Sequence, residues 1–474
     1  MPENRLPLCV DLDGTLVKVD SLHEQLIRSV LTVRSIPGLI RHLLGGRASL
    51  KAFLAGQEPV DAAHLPYHPE LVEWLRAERA SGRRIVLITA ADQAIADEVA
   101  AHLGLFDEVV GTNGGVNLKG ATKAAHLVDW FGERGFAYAG DARADITVWR
   151  RSGAAIPVAA SPGSRRQAAK AAPIERTFPR HGPSHLRSWS RALRPQQWIK
   201  NVLVFAPLVL SRQYWDIAGW RAAATMFLAF CAAASAVYLF NDLTDLRADR
   251  RHPTKKARPL AAGNIGAAAA LAAGVGLTAL GLTLGWLAGA ILPLLIYLLA
   301  TSAYSAGLKT RPLVDVFLLA GLYTIRLVAG GVASHHPVSR WLLAFSAFLF
   351  LALGVMKRVA ELRARGADGS AANVRRGYSG DDLPFLELLG VAASVTSSLV
   401  LVMYAQAHEA DLGSAGSWAL WAVAPAVLFW QARLWLATFR GYMLEDPIAY
   451  ATKDWVTRLI ATLTGALYVA SSFF

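Results

Sequence analysis

Apolar positions are arranged in two ways along the 474 residues of this chain. Up to about residue 170 they come in short runs, at Leu8–Val10, 84–88 and 136–139, separated by stretches of mixed polarity. Such runs, alternating with helix-like segments, predict a parallel sheet in a Rossmann-like α/β domain with its site at the carboxyl ends of the strands. Residues 18–65 read as helical pieces carrying Asp20, His23, Arg28, Arg41 and Arg47, a small cap over such a site. From 157 to 183 the composition shifts to Ala, Ser, Pro, Gly and Arg, which predicts a last strand, a helix ending near Lys170 and then a linker. Residues 186–193, with Trp189, Arg187, Arg191 and then Arg194, suit an anionic membrane surface. Nine apolar stretches follow, roughly 198–211, 220–240, 265–284, 286–305, 312–333, 341–357, 386–405, 417–439 and 455–473. The expected organisation is an α/β domain with a helical cap over 1–170 and a linker with the start of a juxtamembrane helix over 171–189. An all-α polytopic membrane domain of about nine transmembrane helices then fills 190–474.

Hydrophobic residues make up 54% of the chain, and its formal charge is +13. The basic residues cluster beside the apolar stretches, which favours lipid headgroups and phosphorylated substrates over nucleic acid. Sixteen follow the second, fourth, sixth and eighth stretches: Arg247, Arg250, Arg251, Lys255, Lys256, Arg258; Lys309, Arg311; Lys357, Arg358, Arg363, Arg365, Arg375, Arg376; Arg440 and Lys453. The opposite loops hold Arg212 and Arg340. The positive-inside rule places the even loops in the cytoplasm beside the N-terminal domain, and an odd number of spans then leaves the C-terminus outside. A multi-pass protein of the inner (plasma) membrane is expected. Residues 1–6 are polar, with no apolar leader, in keeping with a cytoplasmic N-terminal domain. Cys9 and Cys231 are lone cysteines and imply no disulfide framework.

The second apolar stretch runs directly into Asn241-Asp242-Leu243-Thr244-Asp245-Leu246-Arg247-Ala248-Asp249. On a continuing helix Asp242, Asp245 and Asp249 share one face, where three carboxylates repel and call for a cation. Hard oxygen ligands beside phosphate chemistry suit Mg²⁺. The arginines and lysines that follow complete what a diphosphate leaving group requires. Asn241 is placed to orient ligands or a hydroxyl, and His252 reads as polar surface.

In the N-terminal half, Asp11-Leu12-Asp13-Gly14-Thr15 closes the first strand, Thr89 the second, Lys123 follows downstream, and Gly140-Asp141-Ala142-Arg143-Ala144-Asp145 closes a later strand. This ordered set resembles the haloacid dehalogenase superfamily. The resemblance implies Asp11 as nucleophile, Asp13 as general acid/base, Thr89 and Lys123 on the phosphoryl group, and Mg²⁺ held among Asp11, Asp13, Asp141 and Asp145.

The membrane half resembles the UbiA superfamily of intramembrane prenyltransferases, and within it the decaprenyl-phosphate phosphoribosyltransferases. The residues that carry this, besides the acidic stretch, are 194–201 (Arg-Pro-Gln-Gln-Trp-Ile-Lys-Asn), Tyr304-Ser305 with Leu308-Lys309, Asp315-Val316, Arg326, Lys357-Arg358 with Glu361-Leu362, Glu445-Asp446-Pro447 and Lys453-Asp454. A second D-x-x-x-D motif is usual in the superfamily, but Leu319 follows Asp315 here, which favours the phosphoribosyl branch. The resemblance implies Mg²⁺-dependent transfer of 5-phosphoribosyl from phosphoribosyl diphosphate to a polyprenyl phosphate at the cytoplasmic face, on a route to cell-wall pentose donors. The N-terminal phosphatase would remove the 5-phosphate of the product. Arg258, Lys309 and Arg311 are candidates for phosphate oxygens; Lys200, Arg326, Lys357 and Arg358 for the lipid or ribose phosphate; Asp315 for a second Mg²⁺ or the ribose, or as a partner of Lys309 or Arg311. The alternatives are transfer of a prenyl group from its diphosphate to an aromatic acceptor, with the phosphatase acting on a soluble ester, and a transporter or lipid scaffold. Oligomeric state stays open, a homo-oligomer included.

Overall fold

Alternation with a period of two sends Leu8 and Val10 of the first strand into one apolar layer and Cys9 into the opposite one. This strand, β1 (Leu8–Val10), is the middle of a five-stranded sheet in the computed structural model, flanked by β2 (Ile85–Asp92), β3 (Glu108–Thr112), β4 (Ala137–Gly140) and β5 (Ala154–Pro157). The order is β3-β2-β1-β4-β5 and every pairing is parallel. The chain winds first to one side of β1 and then to the other, so the strand order reverses there and a crevice opens at the carboxyl ends of β1 and β4. Leu71 and Leu75 of the helix Pro69–Ala80 and Ile95 and Val99 of Gln93–Leu103 cover one face. Leu127 of Ala121–Phe131, Trp149 and Ala168 of Pro162–Ala171 cover the other.

The structure describes residues 5–31, 60–113, 118–180, 182–367, 377–407, 409–443 and 447–470. Arg41, Arg47, Arg375, Arg376, Glu445 and Asp446 lie outside the described residues, as do the side chains of Arg28 and Arg365. The chain divides into two bodies, Met1–Arg194 with Tyr238–Gly276, and Pro195–Val237 with Leu277–Phe474.

Among the described residues of the first body, the expected cap includes the helix Ser21–Leu31 and the 3₁₀ turn Ala62–His64. The second strand runs past its expected end at 88 to Asp92, with a register shift against β3, so Thr89 sits inside the strand. The expected linker begins later than residue 171. Ile174 bridges to Ala155 and Phe178 to Val158, and Glu175 forms a two-pronged ion pair with Arg83 at 2.5 and 3.0 Å. One buried aromatic explains this: Phe178 is 4% exposed and packs on Trp74 at 5.4 Å, fixing a segment whose composition alone reads as unstructured.

Six helices among the described residues are long and apolar enough to cross a membrane: Ile217–Thr244, Ala267–Leu287, Val314–Ala333, Arg340–Ala364, Gly380–Ala407 and Trp421–Phe439. The count of nine is not confirmed. Ile291–Ala306 and Trp455–Ala470, with 16 residues each, are shorter. The stretch 198–211 is not one helix but a 3₁₀ segment, Pro195–Phe205, followed by Ala206–Leu210. Pro207 supplies no N–H to an α-helical ladder at that junction. In the second body Val314–Ala333 is apolar on two sides. Val316, Ala320 and Leu327 join one core cluster and Leu322, Ala329 and Ala333 another, while Asp315 and Arg326 are buried along the same helix.

Candidate active sites

β1 ends at Val10, so the first side chain beyond it, Asp11, stands in the crevice, and β4 delivers Asp141 beside it. Carboxylate oxygens of Asp11, Asp141 and Asp145 lie within 4.8 Å of one another. Gly14, at φ +76°, passes so close that a Cβ there would sit 2.4 Å from Asp141 Oδ2, so the turn requires glycine. Thr15 Oγ1 donates to Asp141 Oδ1 at 3.3 Å. Asp145 accepts the backbone N–H groups of Asp141 and Ala142. Lys123 Nζ lies 2.9 Å from Asp11 Oδ1.

This group carries more negative than positive charge. Burial, then Asp145 and Asp11, push Asp141 up to about 7. Burial also raises Asp11, against the pull of Lys123. Three hard oxygen donors crowded together, with Asp11 and Asp141 both raised, fit a divalent cation such as Mg²⁺. Asp13 is not part of this triad. Both its oxygens accept from Ser21, one from the N–H at 2.9 Å and one from Oγ at 3.1 Å, and burial followed by Asp20 raises it to about 7. Thr89 is fully buried and its Oγ1 accepts the Ala91 N–H. His23 pairs with Asp20 at 3.0 Å on the exposed side of the cap helix.

Tyr138, in β4, is a site residue that motif spacing did not flag. Its hydroxyl accepts from Lys123 Nζ at 2.9 Å and donates to Asp145 Oδ1 at 2.9 Å, tying the lysine to the carboxylates. It occupies what reads in sequence as one more apolar strand position.

The acidic stretch keeps its helical hydrogen bonds with one interruption. Among the described residues only Asp11, Asp141 and Asp145 bring three carboxylates within 4.8 Å of one another, so Asp242, Asp245 and Asp249 form a row that is not gathered as tightly. The helix Ile217–Thr244 breaks at Asp245 (φ −88°, ψ 3°) and resumes over Leu246–Arg251, yet Asp245 N–H still donates to Asn241 O and Asp249 N–H to Asp245 O. Arg258 Nη1 spans the row, 3.2 Å from Asp242 Oδ1 and 2.5 Å from Asp249 Oδ2. Arg258, expected on phosphate, is thus bonded to carboxylates. Arg194 Nη2 reaches Asp242 Oδ1 at 2.5 Å while its guanidinium covers the Tyr238 ring. Asp242 is 2% exposed, and its Oδ2 is buried with no hydrogen-bond partner. A bare carboxylate oxygen in that position fits a cation site. Asp245 is half-buried, and His252 Nδ1 serves its own turn, accepting from Thr254 and Lys255 N–H.

In the second body Asp315 is 0% exposed and spends both oxygens. Arg358 Nε donates to Oδ2 at 2.5 Å and Tyr378 OH to Oδ1 at 2.5 Å. Its partners are these two residues rather than Lys309 or Arg311. Arg358 also bonds Glu361 and reaches Tyr304 OH at 3.5 Å. Arg326 donates from Nε to Asn201 Oδ1 at 2.8 Å and to the Leu322 carbonyl, and lies over the Tyr297 ring at 4.8 Å. Lys200 lies over Tyr323 at 5.7 Å. Lys309 and Lys357 are half-buried and Arg311 is exposed.

Residues 203–443 match the UbiA prenyltransferase family, and residues 8–150 match the haloacid dehalogenase-like hydrolases. The protein y4nM of Sinorhizobium fredii is 36% identical over 476 residues, covering 98% of this chain and 91% of its own. The nodulation protein NoeC of Azorhizobium caulinodans is 32% identical over 272 residues, 56% of this chain and 87% of its own. A decaprenyl-phosphate phosphoribosyltransferase of Mycobacterium tuberculosis is 34% identical over 277 residues, 57% of this chain and 89% of its own.

Removing the Tyr138 hydroxyl leaves a buried Asp145 oxygen without its donor and Lys123 without one acceptor. Tyr138→Phe is expected to lower kcat/KM for hydrolysis of a small phosphate ester about tenfold, the rate equivalent of roughly one such hydrogen bond, and to lower the melting temperature by a few degrees. Steady-state kinetics on the full-length protein check this.

Proposed function

Since the chain belongs to the UbiA prenyltransferase family and carries a haloacid dehalogenase-like domain ahead of the membrane helices, we propose that it couples two reactions on one lipid. The first transfers 5-phosphoribosyl from phosphoribosyl diphosphate to a polyprenyl phosphate at the cytoplasmic face of the plasma membrane. The second removes the 5-phosphate from the lipid-linked product. On this reading residues 1–170, with the segment up to Phe178 bonded to them, are the phosphatase, the rest up to 189 the connection and 190–474 the transferase. The names of the phosphoribosyltransferase relatives support the first step, as does the single carboxylate at Asp315 where a D-x-x-x-D pair is usual in the superfamily.

The observation that carries the reading is Asp242, a buried carboxylate with one oxygen bonded by two arginines and the other bare. Asp242, Asp245 and Asp249 are the residues that would hold Mg²⁺, which supplies charge neutralisation to a departing diphosphate. Arg194 and Arg258 fix the carboxylates and add positive charge where negative charge accumulates. The anionic oxygen of the lipid phosphate attacks the anomeric carbon as the bond to pyrophosphate breaks with its electron pair, so no strong base is needed. In the phosphatase, Asp11 attacks phosphorus and Lys123 balances the phosphoryl charge. Asp13, held by Ser21 and raised to about 7, is suited to protonate the departing ribose oxygen and then to activate water.

Full-length protein in membranes is offered labelled phosphoribosyl diphosphate with polyprenyl phosphate, and separately labelled prenyl diphosphate with aromatic acceptors. Label is expected to enter lipid from the first donor. Incorporation from the prenyl donor alone would establish the aromatic prenyltransferase reading instead. With both phosphoribosyl substrates, the wild type is expected to release inorganic phosphate in step with lipid-linked ribose, and Asp11→Asn to stop at the phosphorylated lipid. Equal phosphorylated product from both proteins, without phosphate release, would refute the second step.

A further inference from the structure

The first body joins the N-terminal domain to residues 238–276, and two ion pairs tie the cap segment to that stretch. Arg250 is 9% exposed and grips Glu24 with both terminal nitrogens, at 2.6 and 2.9 Å, while its Nε donates to the Ala261 carbonyl. Arg251 Nε lies 2.5 Å from Asp61 Oδ2. Twelve residues on, Gly263, at φ +71°, rests against the start of the cap segment. A Cβ there would meet Lys18 Cβ at 2.8 Å and Val19 Cγ1 at 3.1 Å. The gap left between the two segments is about 50 Å³, lined by Leu12, Ser21, Glu24, Leu246, Arg247 and Arg250.

Each half of this junction is bonded to one candidate site. On the cap helix, Ser21 holds both oxygens of Asp13, and Glu24 lies three residues further along. On the loop, Arg250 follows Asp249, which Arg258 joins to Asp242. The connection therefore runs through side-chain bonds and two short helices from the phosphatase acid/base to the buried carboxylate of the membrane half. We propose that Glu24 is a positioning residue for the Asp242–Asp249 row. The cap helix and the acidic loop form one mechanical unit, so a change at either site shifts the other. Reciprocity is required of such a link, since a free-energy coupling acts equally in both directions. Removing Glu24 leaves the Arg250 guanidinium buried without its anion, a strongly unfavourable state that the loop relieves by moving.

What this coupling accomplishes rests on the two-reaction reading above, but its existence is measured without it. Amide hydrogen exchange is followed by mass spectrometry on full-length wild type, Glu24→Gln, Arg258→Gln and the charge swap Glu24→Arg with Arg250→Glu. Glu24→Gln is expected to speed exchange across 241–258 about tenfold, Arg258→Gln to do the same in Ser21–Leu31, and the swap to fall closer to wild type than Glu24→Gln does. Exchange in the distant segment that stays at the wild-type level in either single variant would overturn the coupling. Pyrophosphate release from phosphoribosyl diphosphate in the presence of polyprenyl phosphate is read on the same samples. Glu24→Gln should raise KM for the diphosphate more than it lowers kcat. A wild type that releases no pyrophosphate sinks the transferase reading, while the exchange data still decide the coupling.

Discussion

A carboxylate buried at the end of an apolar helix has to be compensated, and at Asp242 two arginines from separate segments meet that need. Two guanidinium groups converge on one oxygen, from Arg194 before the helix and Arg258 beyond it. Neither is a sequence neighbour, so the compensation ties three separate segments together. The second oxygen remains bare, which separates this residue from an ordinary structural ion pair. Buried pairs of this kind add little net stability, because desolvation offsets the attraction. Such a gathering of charge of both signs at the end of an apolar helix is better explained by a task that needs it than by stability.

The second body treats Asp315 differently. There both oxygens are satisfied, by Arg358 and the Tyr378 hydroxyl, so this carboxylate organises its neighbours and offers no open oxygen. The N-terminal crevice is a third case. Asp11, Asp141 and Asp145 crowd together with Lys123 beside them, leaving an excess of negative charge. These three places thus hold one carboxylate half satisfied, one fully satisfied and one group in excess. Only the first and third have the electrostatic character of cation sites.

Much of this was legible in the sequence because it is local. β1 and β4 were marked by short apolar runs ending in Asp11 and Asp141, and the α/β order followed from their alternation. Asp242 and Asp249 could be placed on one face from spacing alone. What spacing could not reveal was pairing over long separations. Arg194 on Asp242, Arg250 on Glu24 and Tyr378 on Asp315 each depend on the tertiary fold. Tyr138 escaped notice because a tyrosine in a buried strand looks like any other apolar residue until its hydroxyl has a partner. Phe178 hid in a stretch of linker composition, where one aromatic decided between tether and sheet edge. The stretch 198–211 failed in the opposite sense, since apolar content was sufficient but Pro207 denied it a single helix.

The central claim is that the row headed by Asp242 serves departure of a diphosphate. Mg²⁺-dependent pyrophosphate release from phosphoribosyl diphosphate, with polyprenyl phosphate supplied, tests it most directly when wild type and Asp242→Asn are compared as full-length protein. The substitution keeps size and hydrogen-bonding capacity while removing the charge. The account predicts a loss of about a hundredfold or more, the scale on which transition-state charge stabilisation operates. Wild-type release by Asp242→Asn would contradict it.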